Sequence, residues 1–124
     1  MSNHSPEGSK DPILDLRNKL RQFAAERDWD QFHSPKNLAM ALSVEAAELL
    51  EHFQWLSDAE SAAMAPEKRA KIGEELADVL LYLIRLADKL NIDLPTAAAD
   101  KISVNASKYP TQKARGSNKK YTEL

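Results

Sequence analysis

Two stretches decide how this chain is read: Ser43-Val44-Glu45-Ala46-Ala47-Glu48-Leu49-Leu50-Glu51 and, farther along, Gly73-Glu74-Glu75-Leu76-Ala77-Asp78-Val79. Each is rich in helix formers, and each carries acids three residues apart, so both acids share one helical face. On a wheel of about 100° per residue, Leu38, Leu42, Leu49 and Leu56 form the apolar stripe of the first stretch, and Glu45 falls inside it. Glu48 lies one turn on, at the edge. In the second stretch the stripe is Ile72, Leu76, Val79, Leu83, Leu86 and Leu90, with Glu75, Asp78 and Tyr82 along one edge. Glu74 points nearly opposite and is expected to face solvent, which makes Glu75 the acid of interest.

Burying an ionised carboxylate costs several kcal/mol without a partner, so Glu45 must pair with Lys or Arg, stay protonated, or hold a metal. Exposed acid pairs at this spacing usually do no more than face solvent beside basic neighbours. Here both pairs flank apolar stripes. If the two helices pack antiparallel, their acidic edges meet and Glu45, Glu48, Glu75 and Asp78 converge. Oxygen ligands without cysteine suit a hard ion such as Mg²⁺, which keeps waters and substrate phosphates in its shell. A carboxylate di-iron site is disfavoured, because no Glu has a His three residues later.

Working outward, three helix starts share a grammar of capping side chain followed by proline: Asp11-Pro12, Ser34-Pro35 and, one residue looser, Asp93-Leu94-Pro95, with Pro66 marking a fourth. The expected helices are 12–27, 35–56, 66–90 and 94–108, giving an all-α four-helix bundle. Only three glycines occur, and β-branched runs are absent, which argues against sheets and glycine-rich phosphate loops. At 124 residues one domain is expected, organised as a flexible segment 1–10, a helical domain 11–110 and a basic tail 111–124.

Zero cysteines remove disulfides, thiol nucleophiles and thiolate metal sites. With 43% apolar and 29% charged residues, no long apolar run and a polar N-terminus, the chain reads as cytoplasmic, with no membrane partner. The net charge of -2 hides an asymmetry: of 17 Lys and Arg and 19 Asp and Glu, residues 101–124 hold six and one. Such a tail is either solvated or a flap over an anion. The acidic body disfavours nucleic acid as a partner.

At these residues the chain resembles the MazG-like, all-alpha nucleoside triphosphate pyrophosphohydrolases, whose signature is Glu-x-x-Glu followed on the next helix by Glu-x-x-Asp. Glu26-Arg27-Asp28-Trp29-Asp30-Gln31-Phe32-His33, Phe53-Gln54-Trp55 and Lys120-Tyr121-Thr122-Glu123-Leu124 look like the dCTP pyrophosphatase branch. The resemblance implies a homotetramer that hydrolyses dCTP or 5-modified dCTP to monophosphate and pyrophosphate. It implies Mg²⁺, with Mn²⁺ as an alternative, bound by Glu45, Glu48, Glu75 and Asp78, and a water acidified by the ion as nucleophile. It also assigns Trp29 and Trp55 to stacking on the base and Lys101, Asn105 and Lys108 to the triphosphate. Tyr82 is a candidate for the sugar face or a ligand-orienting hydrogen bond. One position departs: Leu20 stands where family members carry histidine.

Glu51 reads as a surface acid with a role as assisting base open to it. His33 and His52 read as packing or water-facing. Apolar Leu80, Leu81 and Ile84 lie beyond the main stripe and suggest a subunit interface. A competing reading of the same groove is a non-catalytic helical module that binds a nucleotide or partner without turnover.

Overall fold

The computed structural model describes residues 11–124, so the segment 1–10 and its expected flexibility lie outside the described residues. The described chain is all-helical: α1 (Pro12–Glu26), α2 (Pro35–Glu51), α3 (Asp58–Ala62), α4 (Pro66–Lys89), α5 (Leu94–Lys108) and α6 (Thr111–Ala114), with single 3₁₀ turns at Asp30–Phe32 and Tyr121–Glu123. None of these helices is long and apolar enough to cross a membrane.

The starts are built as the cap-and-proline pattern requires. Asp11 accepts from the Ile13 and Leu14 amides, Ser34 from Asn37 N at 3.1 Å, and Asp93 from Thr96 N at 3.3 Å. Each side chain satisfies donors that have no partner in a first turn. Pro66 opens α4 without a capping side chain.

The ends of α1 and α4 share one device. At each, a residue with left-handed backbone follows the last turn, Asp28 at φ 54° and Asn91 at φ 57°. The next amide reaches back, Trp29 N to Ala24 O at 2.9 Å and Ile92 N to Ala87 O at 2.8 Å, while Asp28 N and Asn91 N bond to Ala25 O and Asp88 O. These paired reversals close the orphan carbonyls of both helices. For α1 they also set where Trp29 emerges.

The chain forms two compact units, residues up to Ile92 and Asp93–Leu124. In the first, α4 packs against both α2 and α1. Its buried apolar residues are Ala24, Leu38, Ile72, Ile84 and Ala87. This corrects the wheel reading of α4: Ile84 is core at 2% exposure, whereas Leu76, Leu83 and Leu90 are 52%, 37% and 49% exposed. A wheel gives every apolar residue equal weight, but α4 is apolar on more than one side. The side that α1 and α2 cover becomes core, and the other side stays open in a single copy. In the second unit, Tyr121 packs edge-on to Tyr109 at 6.0 Å, and the Lys108 ammonium lies 4.7 Å over the Tyr121 ring.

α2 stops at Glu51, short of the expected 56. The chain tightens into turns through Phe53 N to Leu50 O and Leu56 N to Phe53 O, both 2.9 Å. Ser57 then opens α3 with a reciprocal cap: Glu60 N donates to Ser57 Oγ at 3.1 Å and Ser57 N donates to Glu60 Oε1 at 2.8 Å. This pairing fixes a helix inside what the sequence reading left as a connection.

Candidate active site

The packing of α2 on α4 brings three carboxylates together. Glu45 and Glu48 of α2 and Glu75 of α4 each offer an oxygen, and the three oxygens lie within 4.8 Å of one another. All three residues are half-buried. Oε2 of Glu45 and Oε2 of Glu75 are shut off from solvent and have no hydrogen-bond partner. Buried polar atoms normally find partners, so two orphaned carboxylate oxygens facing one cluster fit a site that takes a cation.

The electrostatics of Glu45 follow from this crowding. Removal from water is the largest cause holding its carboxyl protonated, reinforced by the adjoining carboxyls of Glu48 and Glu75 and by the charges of Glu48 and Asp78; together they push its pKa up to about 7. The expected fourfold convergence is only threefold in this structure. Asp78, one turn beyond Glu75, is exposed and outside the trio, although its charge still acts on Glu45. Like charges at this range repel, and the acid with open access to solvent is the one that stands apart. Glu51 and Glu74 are both exposed.

Asp78 instead borders a cleft of about 420 Å³ within the first unit. α1 contributes Leu16, Leu20 and Phe23 to it, and Trp29 and Tyr82 add aromatic surface. Phe23 meets Trp29 edge-on, ring centroids 5.7 Å apart. A mostly apolar, partly aromatic cleft next to an acidic cluster can hold a flat, apolar-faced group at one end and a cation-bound anion at the other.

The remaining predicted residues lie elsewhere. Trp55, in the turn after α2, is 86% exposed and does not line the cleft. Lys101, Asn105 and Lys108 occupy α5 in the second unit, spaced to share a helical face.

The MazG-like family model matches residues 40–124, a span that contains all four acids. This chain belongs to the MazG-like family. Among curated proteins, dCTP pyrophosphatase 1 of Rattus norvegicus is 50% identical over 119 residues, covering 94% of this chain and 70% of that protein. The human protein of the same name is 49% identical over the same coverage. Among solved structures, a pyrophosphatase from Archaeoglobus fulgidus superposes with a TM-score of 0.76 at 38% identity, covering 89% of this chain and 98% of that one.

In this MazG-like chain the cleft also holds three polar residues that sequence reasoning did not assign to the site, Lys19, His33 and Arg85. Arg85 is a buried charged residue of the core, 6% exposed. Its Nε donates to His33 Nδ1 at 3.1 Å and its Nη2 to Asp30 Oδ1, while Nη1 stands 3.6 Å from Asp88. Lys89 also donates to Asp30 at 2.8 Å, and Arg21 forks onto Asp88 at 2.8 and 2.5 Å. His33, which the sequence places as packing or water-facing, accepts from Arg85, so the neutral ring carries its proton on Nε2. Burial, with the charges of Arg85 and Lys89, lowers its pKa and keeps it neutral. The signal for Arg85 was present: it interrupts the apolar run Leu80-Leu81-Tyr82-Leu83-Ile84, just as Glu45 interrupts the stripe of α2.

Proposed function

We propose that this chain hydrolyses dCTP, or 5-modified dCTP, to the deoxynucleoside monophosphate and pyrophosphate, with Mg²⁺ as the required ion and Mn²⁺ as a substitute. The observation that carries the reading is the adjacency of two features. One is a carboxylate trio with two buried, unpartnered oxygens; the other is an aromatic cleft that begins at Asp78. The membership of the family and the names of the 49–50% identical relatives support the substrate and the bond cleaved.

In this reading Glu45, Glu48, Glu75 and Asp78 hold the ion, the first three from the preformed trio and Asp78 from the mouth of the cleft. When bound, Mg²⁺ supplies Lewis acidity, offsetting charge on the phosphate oxygens and acidifying water. The chain's own residues do the rest. Trp29 and Phe23 receive the base, where stacking contributes about 1–3 kcal/mol per aromatic contact. Tyr82, one turn after Asp78, meets the sugar. The family resemblance is the support for giving Lys101, Asn105 and Lys108 of α5 a phosphate-binding role and Trp55 a base-stacking one.

We further assign a homotetrameric assembly in the cytosol. Leu76, Leu80 and Leu83 on the uncovered side of α4 are exposed apolar surface that a second copy would cover. The activity is tested by incubating the chain with Mg²⁺ and each deoxynucleoside triphosphate in turn. The expected result is monophosphate and pyrophosphate, fastest from dCTP and lost on chelation. Turnover that releases orthophosphate, or none with any nucleotide, overturns the reading.

A further inference from the structure

On α4, Asp78, Tyr82 and Arg85 are spaced four and three residues apart, and all three line the cleft. They therefore stand one turn above another on a single face, with about 10 Å of axial rise from first to last. That span is of the order of a nucleoside's length. With the acidic end of the cleft at Asp78 and the sugar at Tyr82, the far edge of the base falls at Arg85.

Arg85 is equipped to read that edge. A guanidinium is a donor at every nitrogen and accepts from nothing. Nε–H goes to His33 and one Nη2–H to Asp30. Nη1 pairs with Asp88 only as an ion at 3.6 Å, so its hydrogens have no hydrogen-bond acceptor among the described residues. Held from three sides by Asp30, His33 and Asp88, the planar fork is fixed in place, and its uncommitted donors belong to a residue that lines the cleft. His33, with its proton on Nε2, adds another donor to the same cleft. The polar edge to which such a cleft is complementary consists of adjacent acceptors.

We propose that Arg85 is the residue that selects the base, its free N–H groups donating to N3 and O2 of a cytosine ring. Both atoms accept in cytosine. In uracil and thymine N3 carries a hydrogen, which would meet an N–H head-on and leave a buried donor unpaired. The proposal rests on the nucleotide reading above and adds to it the group that tells cytosine from the other pyrimidines.

The same side chain grips the loop that carries Trp29, so its variants must separate base reading from loop positioning. We would compare the parent chain, Arg85→Lys, Arg85→Met and Asp30→Asn, each checked for helical content by circular dichroism. Two readouts are used: kcat/KM with Mg²⁺ for dCTP, dUTP and the triphosphate of pyrimidin-2-one deoxyriboside, and equilibrium binding of dCMP and dUMP. The pyrimidinone keeps N3 and O2 as acceptors but lacks the amino group. Binding needs no turnover, so an inactive chain would refute the hydrolase reading while still testing Arg85.

The parent should prefer dCMP to dUMP and accept the pyrimidinone nearly as well as dCTP. Arg85→Lys keeps the charge but loses the fork, and both Arg85 variants should lower the cytosine-to-uracil ratio by about tenfold or more. Asp30→Asn should weaken both nucleotides together and leave the ratio intact. A ratio unchanged in a folded Arg85→Lys, or a parent that rejects the pyrimidinone as it rejects dUTP, overturns the proposal.

Discussion

At the scale of single residues, the chain is governed by two charges placed among apolar neighbours. Glu45 stands in a trio of acids with its pKa raised to about 7. A carboxyl whose folded pKa exceeds its unfolded value binds more protons folded than unfolded between the two values. The share of stability that this group contributes is therefore full below about 4.5 and falls as pH rises through about 7. We predict that melting of the metal-free protein registers this loss between pH 5 and pH 8. Added Mg²⁺ should raise the midpoint most at the alkaline end, where no proton competes for the site. Glu45→Gln should flatten both effects, stabilising the metal-free protein at pH 8 by on the order of 1 kcal/mol while removing the response to Mg²⁺. Asp88 has the opposite sign. Its hydrogen bonds with Arg21 hold its pKa down, so its contribution is present at neutral pH and is lost as acid protonates it.

The same scale shows how far the site was legible. An acid inside an apolar stripe announces itself in the sequence, and the periodicity separated Glu75 from Glu74 without coordinates. Arg85 carries the same signal in reverse charge. Long basic side chains so often reach solvent from an apolar face that this signal alone does not mark a buried charge. What marks it as buried is a partner set drawn from three places, Asp30 and His33 in the loop and Asp88 on its own helix, and sequence spacing cannot assemble that set.

At the scale of elements, four long helices were readable from their starts, because a capping side chain before proline is a local chemical instruction. The ends were harder. α2 carries no glycine or proline near Glu51, so nothing local forbade extending it to 56; the turns at 52–56 and the reciprocal Ser57–Glu60 cap end it. That cap has its own signature in the sequence, Ser57-x-x-Glu60, which is the local mark of α3. The core face of α4 was misassigned for a different reason, since which of two apolar sides is buried depends on where α1 and α2 lie. Two stability predictions belong here. Leu38→Ala, at the most enclosed large side chain of the core, should cost about 2–5 kcal/mol in chemical denaturation. Asp28→Gly should stabilise by about 1 kcal/mol, because the left-handed backbone at that position strains any residue with a Cβ.

At the scale of the whole molecule, the apolar residues buried in one copy are few for a chain of this length, and wide apolar surface remains on α4. An assembly would resolve that imbalance. We predict a tetramer by light scattering at micromolar concentration, and Leu76→Glu, at a 52% exposed site, should shift it toward smaller species with helical content retained. A monomeric parent would contradict this. The proposed role of the acids can be separated from the scaffold in the same preparations. Glu48→Gln and Asp78→Asn should keep the fold and the assembly but lose most of the rate, whereas a binding module without turnover would keep its function in both.

The central claim is that the trio of acids and the aromatic cleft form one site acting on the α–β phosphoanhydride of dCTP. Phosphorus NMR of dCTP incubated with the chain and Mg²⁺ tests it most directly. The account predicts pyrophosphate and dCMP appearing together in equal amounts, with neither formed by Glu48→Gln; orthophosphate with dCDP, or unchanged dCTP, would contradict it.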